Sequence, residues 1–246
     1  MIDGELKQMS DNAIGLDNLL EVSQKFLVDI IFSDLSFAPS KPKSDDVEKE
    51  LSSIFEYSTP TKDEIKKVLD GNNQNIEDCK VTLINNQRKA FNHIVDMIKN
   101  DLPMNENNLK DLHQIIMTGI SDIGGLYRNV DISIVGSNHT PPSHIKVYDR
   151  MKKYFDKTQK EPENNIIEHI SYCHLQLAKI HPFLDGNGRA ARAVLNYHLM
   201  RNGFFPVYIK QEDHKEYFEC LEEFKVNKNI KPFMKFLEKL ENSVSK

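Results

Sequence analysis

The residues best placed to do chemistry fall in one run, His181-Pro-Phe-Leu-Asp-Gly-Asn-Gly-Arg-Ala-Ala-Arg192. His181 is the one side chain in it that can accept a proton near neutral pH. Asp185 offers a hard carboxylate oxygen, the type of ligand that a magnesium ion shared with substrate phosphates commonly takes from protein. Gly186 and Gly188 let the backbone approach a bound group and turn its amides outward, and a helix beginning there adds its N-terminal partial positive charge. Arg189 and Arg192 are three apart, so they leave one face of that helix and can fork onto phosphate oxygens. Two arginines in the first turns oppose the helix dipole unless an anion balances them. Taken singly, His181 could cap a helix and Asp185 could be a loop-forming Asx residue. Together they place a base, a metal ligand and a phosphate clamp in one short segment.

The flanking sequence must hold that segment as a helix, tight loop, helix unit. Ile166, Ile170, Cys173, Leu177 and Ile180 form one apolar helical face ahead of it, with His174 read as a buried core histidine. Ala191, Val194, Leu195 and Leu199 form another behind it, ended by Gly203. The rest is also helical. Leu16, Leu19, Leu20, Phe26, Leu27, Ile30 and Ile31 recur at helical spacing, and residues 37–46, with Pro39 and Pro42, read as a linker. The expected division is therefore an N-terminal helical appendage and linker over 1–45 and a main domain over 46–246. A short helix spans about 44–55, and Thr61 opens a capping box with Glu64 ahead of Ile65, Val68 and Leu69. Further helices are predicted over about 76–100, 107–117, 149–156, 165–180, 189–202, 214–224 and 230–242. Between Tyr127 and Val147 the apolar residues alternate instead, around Gly136, Ser137, Asn138, His139 and Thr140, which predicts a small β-hairpin. The expected fold class is all-α with that hairpin.

Composition narrows the function. The chain has 246 residues, 39% hydrophobic and 28% charged, with a net charge of -5. Its acids and bases are interspersed, so no broad basic surface of the kind that binds nucleic acid is expected. The N-terminal residues contain no apolar signal core and no run is long enough for a membrane span, so no membrane association is expected. Cys79, Cys173 and Cys220 follow no metal-ligand spacing and read as reduced, mostly packed thiols, which fits a cytoplasmic protein.

The run 181–192 resembles the Fic motif, HxFx[D/E]GNGRxxR, at every fixed position, and the resemblance extends over about residues 50–240. It implies a protein adenylyltransferase: an enzyme that transfers AMP from ATP, with Mg2+, to a Ser, Thr or Tyr hydroxyl of a target protein and releases pyrophosphate. Carried over, it makes His181 the general base and Asp185 the magnesium ligand. It assigns Phe183, Gly186, Asn187, Gly188, Arg189 and Arg192 to the nucleotide, with Arg189 on the β-phosphate and Arg192 on the γ-phosphate. Tyr217 and Phe218 resemble the aromatic pair of the adenine pocket, although Lys225 stands where an asparagine is usual. Gly136 to Thr140 sits where the family has the flap that registers the target segment by strand addition. Ser52-Ser53-Ile54-Phe55-Glu56 resembles the family's inhibitory helix, here near 47–57, with Tyr57 in place of Gly or Asn. Glu56 would then pair with Arg192 and withhold it from the γ-phosphate. The same glutamate could orient a water for removal of AMP. An ATP-sensing interaction module with little turnover, or transfer of another phosphoryl-containing group, are the alternative readings. Residues 1–45 could serve targeting or dimerisation, and a homodimer is compatible with the sequence.

Overall fold

The structure is a computed structural model that describes residues 21, 23–37, 58–134, 137–160 and 165–244. Among these residues it is helical, in chain order α1 (Leu27–Ser36), α2 (Lys62–Leu69), α3 (Asp78–Lys99), α4 (Glu106–Met117), α5 (Val147–Thr158), α6 (Ile166–Ile180), α7 (Asn187–Arg201), α8 (His214–Asn227) and α9 (Lys231–Val244). The expected all-α fold is therefore what forms. None of these helices is long and apolar enough to cross a membrane.

Several helix starts follow directly from side-chain chemistry. Thr61 and Glu64 make both halves of the predicted capping box at the start of α2. Asn105 caps α4, and the Asn165 side chain accepts from the amides of both Ile167 and Glu168 to start α6. The start of α7 differs: its N-cap, Gly186, is in the left-handed region and supplies no side-chain cap. The orphan amides at that end are thus left to whatever the loop faces.

Helix α7 is the axis of the molecule. It is buried on nearly all sides, from Ala190 and Ala191 through Val194, Leu195 and Tyr197 to Leu199 and Met200, as expected of a helix enclosed by others rather than laid on a surface. Helices α6, α3, α4 and α1 all pack against it, α5 covers α6, and α8 and α9 close the remaining side. The antiparallel pair α6 and α7 carries the motif loop at its turn, so the site is anchored in the centre of the core.

Helix α1 belongs to the same core. Leu27, Ile30, Ile31 and Leu35 are buried in the common cluster, each such burial contributing about 1.5–3 kcal/mol. Ser33 Oγ donates to the Ile209 carbonyl at 2.9 Å and accepts from the Ile209 amide at 3.0 Å. Phe37, expected to open a linker, stacks on His214 with ring centroids 4.0 Å apart. The boundary expected at residue 46 and the short helix over 44–55 lie outside the described residues. In the 127–147 region the described residues form an irregular segment with an isolated bridge at Ile132 and a 3-10 turn at His144–Lys146; the expected hairpin does not appear among them. Backbone-to-side-chain bonds replace strand pairing there, as described below.

Candidate active site

His181 terminates α6 in the left-handed conformation, φ 51° and ψ 62°, with its amide bonded to the Leu177 carbonyl. A histidine in that region is strained, and the strain turns the chain into the motif loop within one residue. Its ring is buried, with Nδ1 3.3 Å from the Ala178 carbonyl. Since a carbonyl only accepts, Nδ1 carries the proton and Nε2 is the basic nitrogen. Burial lowers the imidazole to about 3, against the pull of the Ala178 carbonyl and helped by Lys225, Arg128 and His139. The ring is therefore neutral across the physiological range, the protonation state required of a base.

The loop is braced from inside. Asn187 Oδ1 accepts from the Phe183 amide and its Nδ2 donates to the Phe183 carbonyl, both at 2.8 Å. Its side chain is thus engaged by the loop, and only its backbone faces outward. Phe183, assigned to the nucleotide from sequence, is fully buried and stacks on His113 at 3.6 Å and 3°. His113 of α4 then reaches under the loop: Gly125 N–H donates to its Nδ1 at 2.9 Å, so its Nε2 carries the proton and donates to the Asp185 carbonyl at 2.8 Å. Burial lowers His113 to about 4. Gly186, at φ +73°, lies so close that a Cβ would sit 2.9 Å from both His113 Nε2 and Met117 Sδ. That position admits glycine alone.

The charged groups converge on the same side. Asp185 is buried and pairs with Arg189 across 3.1 Å. The other terminal nitrogen of Arg189, Nη1, is buried without a hydrogen-bond partner among the described residues. A buried guanidinium nitrogen left unsatisfied is costly, and beside the uncapped amides of α7 it fits an anion. Asp185 offers one hard carboxylate oxygen, the type of ligand magnesium takes from protein, so it would be the residue to hold that ion beside bound phosphates. Arg192 is 7% exposed and is held by Asp34. Its Nε meets Asp34 Oδ1 at 2.5 Å, its Nη2 donates to the Asp34 carbonyl at 3.2 Å, and the Phe37 ring lies 4.1 Å from the guanidinium carbon. Burial raises the Asp34 carboxyl against the pull of Arg192. Gly188 makes room for this arrangement, since a Cβ there would sit 3.1 Å from Arg192 Nη1.

Sequence reasoning gave Arg192 to Glu56. Ser52, Glu56 and Gly136 lie outside the described residues, and the acid that meets Arg192 within them is Asp34. Tyr217 is buried, its hydroxyl 3.1 Å from Nε2 of His174, whose Nδ1 donates to the Ala191 carbonyl at 2.9 Å. His174 is thus the satisfied core histidine the sequence suggested, lowered to about 4 by burial. Phe218 is 50% exposed and meets Phe37 edge-on. Lys225 is buried, with Nζ 3.3 Å from Glu222.

Two residues missed in the sequence organise the 127–147 segment. Arg128 is buried and donates from Nε to the His181 carbonyl at 2.9 Å, from Nη1 to Val130 at 3.0 Å and from Nη2 to Pro142 at 2.5 Å. One guanidinium therefore ties the His181 backbone to both arms of the segment. Glu222 accepts from Ser137 Oγ and from the Asn138 amide, the latter at 2.9 Å, while His139 Nε2 donates to the Lys179 carbonyl at 3.1 Å. Thr140 is exposed.

Residues 103–199 match the family model of the Fic/DOC family. A relative from Nematostella vectensis, a protein adenylyltransferase Fic, is 38% identical over 115 residues, covering 46% of this chain and 26% of its own length. Another of the same name from Drosophila grimshawi is 28% identical over 151 residues, covering 60% of this chain and 31% of its own. The chain thus spans about a quarter to a third of the length of these curated relatives. The crystal structure of a Fic domain containing signaling protein from Bacteroides thetaiotaomicron superposes with a TM-score of 0.74 at 21% identity, over 98% of this chain and 93% of that one. The fold is therefore shared with that protein, and the segment that holds the His113 brace, the motif loop and both arginines, residues 103–199, is the part of the chain that matches the Fic/DOC family model.

Proposed function

We propose that this chain is a protein adenylyltransferase that transfers AMP from ATP to a hydroxyl side chain of another protein. The observation that carries the reading is the convergence, at one helix–loop–helix turn, of a neutral buried His181, Asp185, the amides of α7 that its Gly186 N-cap leaves without a side-chain cap, and an Arg189 nitrogen that has no partner among the described residues. The target oxygen attacks the α-phosphorus as His181 Nε2 takes its proton, and the bond to pyrophosphate breaks. Magnesium held by Asp185 would neutralise phosphate charge. The Gly186–Gly188 backbone and Arg189 stabilise the charge that spreads over the phosphate oxygens, which is the largest contribution expected of such a site. Arg128 positions His181 and the flap segment together. Arg192 serves the γ-phosphate only after it leaves Asp34, so the resting chain is restrained.

The test is incorporation of α-labelled ATP into protein by the native chain, Asp34→Ala, Glu56→Gly, and Asp34→Ala with His181→Ala. Label should rise with Asp34→Ala and vanish when His181 is also replaced. A rise with Glu56→Gly alone would move the restraint to that residue. No label from any folded variant that still binds ATP would refute transfer and favour a nucleotide-sensing module.

A further inference from the structure

The far end of the α6–α7 hairpin holds a second cluster of chemically active side chains that the adenylyl-transfer site does not use. His169 and Cys173 are one helical turn apart on α6, and His198 faces them from α7. Their potential ligand atoms, one from each residue, all lie within 4.8 Å of one another. The cluster is away from the motif loop, since His169 is near the start of α6 and His198 near the end of α7 while the loop joins the opposite ends.

Its members are not explained by packing alone. His198 is 8% exposed, and its Nε2 is buried with no hydrogen-bond partner among the described residues. A buried imidazole nitrogen in that condition costs free energy unless something accepts or donates there. Its ring lies edge-on to that of His169, with centroids 5.9 Å apart. Cys173 is fully buried, and its backbone is fixed by the Tyr154 hydroxyl, which donates to the Cys173 carbonyl at 3.1 Å. His169 is only partly buried and gives the cluster a side open to solvent.

We propose that His169, Cys173 and His198 form a binding site for a divalent transition metal of zinc type, which clamps α6 to α7 at the end opposite the motif loop. Two imidazoles and a thiolate form a nitrogen and sulfur donor set, which selects zinc over the oxygen-seeking magnesium and calcium. Tetrahedral bonds of about 2.0–2.3 Å place ligand atoms about 3.5 Å apart. Closing from the present spacing takes a small rotation, which His169, at the open side, can supply. Water occupies the fourth position. Binding displaces the thiol proton of Cys173 to solvent.

The experiment uses the full chain stripped with a chelator and titrated with Co2+ without ATP or magnesium. Expected is a thiolate-to-cobalt charge-transfer absorption that saturates at about one ion per chain and is bleached by Zn2+. It should persist in Cys79→Ser with Cys220→Ser, vanish in Cys173→Ser, and weaken in His198→Gln. Circular dichroism checks that each variant is folded. As an independent readout, Zn2+ about a hundredfold above its Kd should raise the folding equilibrium constant of the native chain about a hundredfold, seen as a higher Tm. Absence of the thiolate band in the folded native chain, its survival in Cys173→Ser, or an unmoved Tm would each overturn the proposal. Asp185 cannot mimic the signal, because an oxygen ligand gives no thiolate transition.

Discussion

Under the proposed function, the pairing of Asp34 with Arg192 sets a measurable threshold for nucleotide binding. Replacing Asp34 by Ala removes the carboxylate that lies 2.5 Å from Nε and leaves the weaker bond from Nη2 to the backbone carbonyl of the same residue. A charge-assisted bond of this kind is worth about 2 kcal/mol, which corresponds to roughly thirtyfold in affinity for a ligand that must recruit the arginine. The variant also strands a buried guanidinium, at a stability cost of about 3 kcal/mol or more, which a domain of ordinary stability survives. The assay is calorimetric titration with magnesium ATP in a His181→Ala background, where no nucleotide is consumed. ATP should bind about thirtyfold tighter to the Asp34→Ala chain, and ADP should gain less, because Arg192 is assigned to the γ-phosphate. Equal ATP affinity in the two folded chains would refute the view that Asp34 restrains Arg192.

Gly186→Ala should lose stability by about 2–3 kcal/mol and lose most ATP binding, because the added Cβ meets His113 and Met117 at 2.9 Å and the backbone stays at positive φ; chemical denaturation and titration with ATP measure both. Arg128→Lys breaks the fork onto the His181, Val130 and Pro142 carbonyls, so kcat should fall about tenfold or more with ATP affinity nearly unchanged. Acid should destabilise the fold through His113 and His174, both lowered to about 4 by burial. Between that value and the ordinary histidine pKa of about 6.5 the unfolded chain binds more protons. Stability is therefore complete above about 6.5 and falls toward 4, by about 1 kcal/mol per histidine from about pH 7 to about pH 5.5. Urea titrations across that range check it, and His113→Gln should flatten the slope.

Much of the site was legible because its chemistry is local. His181 to Arg192 sits within one turn of the chain, and glycine, acid and arginine spacing translates into geometry without tertiary knowledge. The helix starts at Thr61 and Asn165 were equally local, being side chain to amide contacts a few residues apart. Asp34, Arg128, His113 and Glu222 were not legible, because each acts on a residue far along the chain. In sequence Asp34 resembles Asp29 of the same helix, yet Asp29 pairs with Lys62 near the surface while Asp34 is buried on Arg192. His113 hid in an apolar face with Leu109, Leu112 and Ile116. The alternation around 130–147 suggested a hairpin, but among the described residues Arg128 and Glu222 satisfy backbone groups that strands would otherwise pair.

Because α1 carries Asp34 on the same polypeptide as Arg192, 158 positions away, the helix would behave as a tethered ligand whose local concentration does not change on dilution. Tethers of this kind commonly correspond to about millimolar ligand. A free peptide spanning Leu27–Phe37 would need a comparable concentration to quiet a chain from which that segment had been removed. Severing the connection between α1 and α2 would therefore turn a constant restraint into one that depends on the concentration of the fragment.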